Sequence, residues 1–270
     1  MKVTCLQMNI KLGVPQDNIC HASELIRTAM VTNPDVLVLP ETWNTGFFPK
    51  ENLPDLCDRD GEMVIERIGA LARQYHVNII AGSISNIRNR QIFNTAIVFD
   101  REGECIASYD KTHLFSPMGE DAYYTHGDHL CLFSLDGIQC ALIICYDIRF
   151  PELARILALK GANILFVVSQ WPRERIFHLH SLAAARAIEN QMFVVCCNSC
   201  GTAEGTVYGG NSVVIDPSGK PLAIAGETEE AISANIDMQR LSHIRGQIPV
   251  FRDRRPDLYS TQISAHRTQV

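Results

Sequence analysis

Residues 140–152 read CALIICYDIRFPE. The run from Cys140 to Tyr146 is apolar and has the length of a buried strand. It breaks at Asp147 and Arg149, and Pro151 then opens a helix that Gly161 stops. A strand buried on both faces that feeds a helix is the repeating unit of an α/β fold. The same stretch puts Cys145 at the carboxyl edge of a sheet, where open α/β folds build their sites. A helix N-terminus beside it would offer backbone N–H groups and a positive dipole end, which predicts a lowered thiol pKa. An inert core cysteine is the alternative. Polar Asp147 and Arg149 straight after the apolar run argue against it.

The pattern repeats outward from there. Val3 to Ile10 reads as a first strand. A helix follows from Asn18 to Met30, with Ile19, Ala22, Leu25, Ile26 and Ala29 at helical spacing after a possible cap at Asp17. Asp35 to Leu39 is a strand, Glu62 to Tyr75 a helix and Val77 to Ala81 a strand. Phe93 to Phe99, Glu104 to Tyr109 and Leu130 to Leu135 come as strands without a helix between them. Asp136-Gly137 turns the last of these into Ile138 to Cys145. Asn163 to Val168, Ile176 to Asn190 and Met192 to Cys197 read as strand, helix and strand. A hairpin over Val213 to Ala223 and a late strand over Ala231 to Ile236 complete the set. Alternation mixed with hairpins gives an α/β class with a mixed sheet or two sheets. Nothing marks a boundary, so a single domain over 1–270 is expected, with a polar tail from Pro256 that is mobile or docks on a partner subunit. No Gly-rich phosphate loop follows the first strand, which argues against a nucleotide fold.

Composition narrows the function. Lys and Arg number 24 against 30 Asp and Glu, a formal charge of −6 in 270 residues. That balance lacks the basic footprint of a nucleic-acid binder. No apolar stretch reaches the ~18 residues of a membrane span. The N-terminus has no apolar core of signal-peptide length. A cytoplasmic protein is the expectation. The ten cysteines are scattered, and most sit in strand-like runs, so reduced, buried thiols are expected rather than a disulfide framework.

Two more residues share the position of Cys145. Glu41 closes the buried run VLVLPETW, and Lys111 lies in YDKTHLF just past a strand. A carboxylate there can take a thiol proton and pass it to a leaving group. A fixed cation can hold an oxyanion and organise the carboxylate–thiol pair. Each alone also reads as an ordinary surface residue.

Jointly, Glu41, Lys111 and Cys145, each at a strand end and in this order, resemble the nitrilase superfamily of carbon–nitrogen hydrolases. The motifs are PETWNTGF, YDKTHLF and LIICYDIRFPE, supported by GANILFVVSQWP, HSLAAARAIENQMFVVCCNSCG and YGGNSVVIDPSGK. They span roughly residues 1 to 240. The resemblance implies a four-layer αββα sandwich that pairs into a homodimer through the helices after Cys145 and around His178 to Asn190. The small residues Ala183, Ala184, Ala185 and Ala187 would permit close helix packing there. It implies Cys145 as nucleophile, Glu41 as general base and acid, and Lys111 with the Tyr146 backbone N–H as the oxyanion site. A second carboxylate is implied after the lysine, at Glu120 with Asp121 as rival. No metal or organic cofactor is implied.

CYDIRFPE with SQWP resembles the omega-amidase branch, which implies small 2-oxo amides as substrates. Arg149 could bind a substrate carboxylate, or pair structurally with Glu152 or another acid. Trp171 could wall the pocket, and Phe47 and Phe115 could line it or simply pack. An N-carbamoyl or aliphatic amidase is the nearest alternative. A catalytically inactive scaffold, or a metal or redox site at Cys197-x-x-Cys200 with His178 and His180, are alternatives of other classes.

Overall fold

The computed structural model describes residues 1–47 and 49–259. Its strands are β1 (Lys2–Gln7), β2 (Val36–Val38), β3 (Asp58–Arg59), β4 (Asn78–Arg88), β5 (Gln91–Phe99), β6 (Cys105–Asp110), β7 (Cys131–Leu135), β8 (Ile138–Ile144), β9 (Ile164–Ser169), β10 (Phe193–Asn198), β11 (Cys200–Ala203), β12 (Thr206–Gly209), β13 (Val213–Ile215), β14 (Pro221–Ile224) and β15 (Glu230–Asn235). They form two main sheets. One has the order β15-β1-β2-β4-β5-β6, with β3 beside β4; the other has the order β14-β13-β10-β9-β8-β7. β11 and β12 make a separate hairpin.

Side-chain alternation sorts the layers. In β1 and β2, Val3, Cys5, Val36 and Val38 face the second sheet, in one core with Ile143, Phe166 and Val195. Their neighbours Leu6, Leu37 and Leu39 turn the other way, onto Ile19 and Ile26 of the Pro15–Ala29 helix and Ile68 and Leu71 of the helical stretch 62–75. The second sheet is covered on its far side by the helices Pro151–Leu159 and Ile176–Asn190, through Leu153, Leu157, Leu179 and Ala183. The result is the expected αββα sandwich. A period of two in the strands against 3.6 in the helices is what sorts each residue to its layer.

Strand direction then decides where chemistry can occur. β1, β2 and β4 are parallel, and β6 returns to that direction after antiparallel β5. β8, β9 and β10 are likewise parallel. The chain therefore leaves β2, β6, β8 and β9 at the carboxyl ends that carry Glu41, Lys111, Cys145 and Gln170. A tight turn makes this possible at β4. Gly82 has φ +62°, and a Cβ there would lie 2.0 Å from the Pro40 carbonyl. Ser83 can then donate its N–H to Pro40 (3.0 Å) and its Oγ can accept from the N–H of Thr42 (2.9 Å), which ties the Glu41 turn to the sheet.

Several expectations need correction. The first helix starts at Pro15 with no side-chain cap, so Asp17 lies inside the first turn. Proline at the first position presets the helical φ and needs no donor. β4 runs on to Arg88 because the bulge at Gly82 bends the strand without ending it. The β11–β12 hairpin and the Met238–Gln247 helix were not anticipated. Ala183 and Ala187 are buried in this chain's own core, while Ala184 and Ala185 are half-buried. Of the polar tail, residues 256–259 form a short helix, and 260–270 lie outside the described residues. All ten cysteines are free, and all but Cys20 and Cys105 are buried. Among the described residues no helix is long and apolar enough to cross a membrane.

Candidate active site

Glu41, Lys111, Glu120 and Cys145 meet between the ends of the two sheets. The Lys111 side chain and both carboxylates are fully buried. Lys111 Nζ donates to Glu41 Oε1 at 2.8 Å and to Glu120 Oε2 and Oε1 at 2.8 and 3.0 Å. The Cys145 thiol lies beside the Glu41 carboxylate and the backbone N–H of Gln170. Asp121 is exposed, so it is Glu120 that turns inward onto the lysine.

The two key turns are conformationally unusual. Cys145 has φ 47° and Thr42, next to Glu41, has φ 39°. Neither is glycine, and such left-handed residues cost on the order of 1–3 kcal/mol each. Asp147 holds the first turn in place. It is fully buried. Its Oδ2 accepts from the Ile144 N–H (3.0 Å) and the Tyr109 hydroxyl (2.8 Å). Its Oδ1 accepts from the His113 N–H (3.0 Å) and Thr112 Oγ1 (3.1 Å). One carboxylate thus joins the Cys145 turn to the segment after Lys111.

Three further polar groups join the site. Asn94 on β5 donates from Nδ2 to Glu41 Oε1 (2.9 Å) and Glu120 Oε1 (3.2 Å). The Gln170 N–H donates to Glu41 Oε2 at 2.9 Å, and its side-chain amide donates to the Glu41 carbonyl at 2.6 Å. The Phe115 N–H donates to Glu120 Oε2 at 2.6 Å. Sequence reasoning missed Asn94 because a polar residue inside a strand carries no local signal. Gln170 was visible only as part of SQWP.

The electrostatics reverse one expectation. Burial first, and then the Glu41 charge, push the Cys145 thiol well above its ordinary value. The cysteine opens a short 3₁₀ turn, Cys145–Arg149, and the Pro151–Leu159 helix begins only after it, so no helix N-terminus adjoins the thiol to offset those two effects. Burial raises Glu41 above 4.5, with Lys111 pulling the other way. For Lys111 burial acts downward, but Glu41 and Glu120 outweigh it and hold the ammonium well above 10.5. The shifts hold Cys145 as a thiol and Lys111 as an ammonium, with the Glu41 carboxyl between them. A thiol beside a carboxylate can give up its proton only as it attacks, and the ammonium stands ready for the charge that develops.

A small pocket, partly open to solvent, lies over Cys145. Arg149 and Trp171 line it, with Phe47 and Phe115, for which packing was the alternative, and with Tyr146, Arg175, and Thr206 and Tyr208 of the unforeseen hairpin. The Arg149 guanidinium stacks 4.7 Å from the Trp171 ring. Arg149 forms no ion pair with Glu152; its Nη2 lies 3.3 Å from His178 Nδ1.

The cysteine pair at 197 and 200 does not build a metal site. Cys197 gives its S–H to backbone carbonyls between the sheets, Val38 O at 3.1 Å and Leu6 O at 3.5 Å. His180 contacts the Asn211 carbonyl. Among the described residues no three His, Cys, Asp or Glu are grouped to hold a metal.

Residues 2–245 match the carbon-nitrogen hydrolase family. The chain belongs to that family. This carbon-nitrogen hydrolase is 43% identical to a 2-oxoglutaramate amidase of Bacillus subtilis, over 95% of this chain and 98% of the relative. It is 30% identical to human omega-amidase NIT2, over 97% and 98% of the two chains. A mutant amidase from Nesterenkonia sp. AN1 superposes with a TM-score of 0.85 at 26% identity, covering 97% of each chain. That structure carries the acetamide moiety of fluoroacetamide at its active site cysteine.

Proposed function

We propose that this carbon-nitrogen hydrolase is an amidase for small carboxylate-bearing amides, best fitted to the omega-amides of 2-oxo acids, 2-oxoglutaramate and 2-oxosuccinamate. The observation that carries the reading is the buried Lys111, held by Glu41 and Glu120 beside the Cys145 thiol. The similarity to a 2-oxoglutaramate amidase over nearly the whole chain supports the substrate class.

The chemistry runs in two halves. Glu41 takes the thiol proton as Cys145 Sγ bonds to the amide carbon. Lys111 Nζ and the Tyr146 N–H hold the resulting oxyanion. Glu41 returns the proton to the amide nitrogen, the C–N bond breaks, and ammonia leaves a thioester. Glu41 then deprotonates a water that adds to the thioester, and the C–S bond breaks to give the acid and restore the thiol. Glu120 fixes Lys111, Arg149 binds the far carboxylate, and Trp171 supports the guanidinium. Every proton and bond is accounted for by these side chains and water.

Ammonia release from a panel tests this: 2-oxoglutaramate, 2-oxosuccinamate, glutamine, asparagine, an N-carbamoyl amino acid and an aliphatic amide. Turnover of the 2-oxo amides is expected, and Cys145→Ala is expected to lose it. Turnover of only carbamoyl or aliphatic amides would overturn the substrate class.

The same reading places the protein in the cytoplasm, where free thiols persist, as a single domain that forms a homodimer. Ile156, Leu159, Phe177 and Ile188 support the pairing face, since all are exposed on the helices covering the second sheet. Sedimentation equilibrium is expected to give twice the monomer mass, with Ile156→Asp shifting it toward the monomer. A wild-type monomer at all concentrations would refute the dimer.

A further inference from the structure

The pocket over Cys145 holds two guanidiniums, and only one has so far been given work. Arg149 comes from the Cys145 turn. Arg175 comes from the 3₁₀ turn Arg173–Arg175 that leads into the Ile176–Asn190 helix. Both are half-buried and both line the pocket. Among the described residues neither forms an ion pair. Eight other arginines, Arg173 among them, each meet a carboxylate, while Arg27, Arg59, Arg67, Arg90, Arg155, Arg245 and Arg254 also form none. What sets Arg149 and Arg175 apart is their place: in a chain of net charge −6, two guanidiniums without a carboxylate partner line the one pocket over Cys145.

Aromatic rings hold them. Arg149 lies 4.7 Å from the centroid of Trp171, and Arg175 lies 5.1 Å from the centroid of Phe115. Stacking on a ring face orients a guanidinium while leaving its edge N–H donors free. The pocket is otherwise walled mainly by Phe47, Phe115, Trp171 and Tyr208. Arg149 Nη2 lies 3.3 Å from His178 Nδ1, and the remaining N–H donors of Arg149 with those of Arg175 suit a planar anion with several oxygens.

We propose that Arg175 is a second specificity-determining residue, which with Arg149 forms a two-guanidinium clamp for the anionic end of the amide substrate. This rests on the amidase reading above and narrows it. A simple carboxylate can satisfy one fork. A 2-oxo carboxylate offers three oxygens, two from the carboxylate and one from the ketone, and so can engage both. Phe115, under Arg175, donates its N–H to Glu120, so Arg175 and the carboxylate that holds Lys111 meet the same residue. The sequence hid Arg175, because WPRERI reads as a charged surface turn.

The test compares wild type, Arg175→Gln and Arg175→Lys on 2-oxoglutaramate, on glutaramate, which lacks the ketone, and on uncharged pentanamide. In Arg175→Gln the preference for 2-oxoglutaramate over pentanamide, as a ratio of kcat/KM, is expected to fall about 10- to 100-fold, mostly through KM. The fall for glutaramate is expected to be smaller. Arg175→Lys keeps the charge without the fork and is expected to lie between. An unchanged ratio in Arg175→Gln would overturn the proposal. A second arm needs no turnover. Protection of Cys145 from iodoacetamide by 2-oxoglutarate is read by mass spectrometry. Half-protection is expected to need about 10- to 100-fold more 2-oxoglutarate in Arg175→Gln. Equal protection in both proteins, or none in wild type, overturns the clamp. If wild type ignores 2-oxoglutaramate but shows Arg175-dependent protection, the substrate assignment fails and the clamp stands.

Discussion

Glu41→Gln is expected to lose turnover by about 10²- to 10⁴-fold, the range of a general base, while the protein stays folded. The argument starts from the resting protonation states. Burial and the Glu41 charge keep Cys145 as a thiol, so attack requires a proton acceptor at the moment the C–S bond forms. Gln170 and Asn94 already occupy the Glu41 oxygens with donors, and Lys111 is an ammonium. Glu41 is the acceptor beside the thiol. Glutamine keeps the shape but cannot take the proton, and it removes one of the two charges facing Lys111. The pH dependence follows with a definite sign. Burial raises the Glu41 pKa above 4.5, so kcat/KM of the wild type should rise with pH as Glu41 deprotonates, with an acid limb centred above 4.5. Ammonia release measured across the acid range checks both points. An acid limb at or below the ordinary glutamate value, or near-normal turnover in Glu41→Gln, would remove Glu41 from the role of base.

How the site could be read from sequence follows from where its parts sit. Glu41, Lys111 and Cys145 were legible because each is a polar or reactive residue ending an apolar strand, and strand ends in parallel sheets share an edge. The layers were legible too, since continuous apolar runs such as 35–39 and 140–146 must be buried on both faces. What escaped notice depends on long-range contact. Asn94 bridges the two carboxylates only because β5 lies beside β6, which carries the chain to Lys111. The β11–β12 hairpin was hidden because Cys200 and Gly201 follow an apolar strand and read as its end. Its turn at Glu204 and Gly205, φ 46° and 78°, brings Tyr208 into the pocket wall. The thiol pKa was misjudged for a different reason. A helix dipole was weighed from local sequence, while the larger effects are burial between the sheets and then the charge of Glu41, far away in sequence.

Lys111→Met should affect catalysis and stability together. Turnover is expected to fall at least about 10²- to 10³-fold, the effect of removing one oxyanion donor. The variant also loses the cation between two fully buried carboxylates that share the Asn94 amide. Stripping one partner from a buried ion pair costs about 3–5 kcal/mol. The chain can reduce that cost by protonating a carboxylate, since two like charges at one site cannot both remain ionised. Glu41 is the group already pushed up by burial, so it is expected to take the proton, which disables the base as well. The sign of the stability change with pH is then fixed. A carboxyl whose folded pKa lies above its unfolded value contributes stability below the unfolded pKa, and that contribution is lost as pH rises through the folded pKa. Lys111→Met should therefore be closest to wild type in mildly acidic buffer and fall further behind toward neutral pH. Denaturant midpoints at pH 5 and pH 8 measure the gap. A gap that stays constant between them would mean that the carboxylates do not depend on Lys111. The buried trio would then be a packing feature rather than the charge-balanced centre on which the proposed thiol chemistry depends.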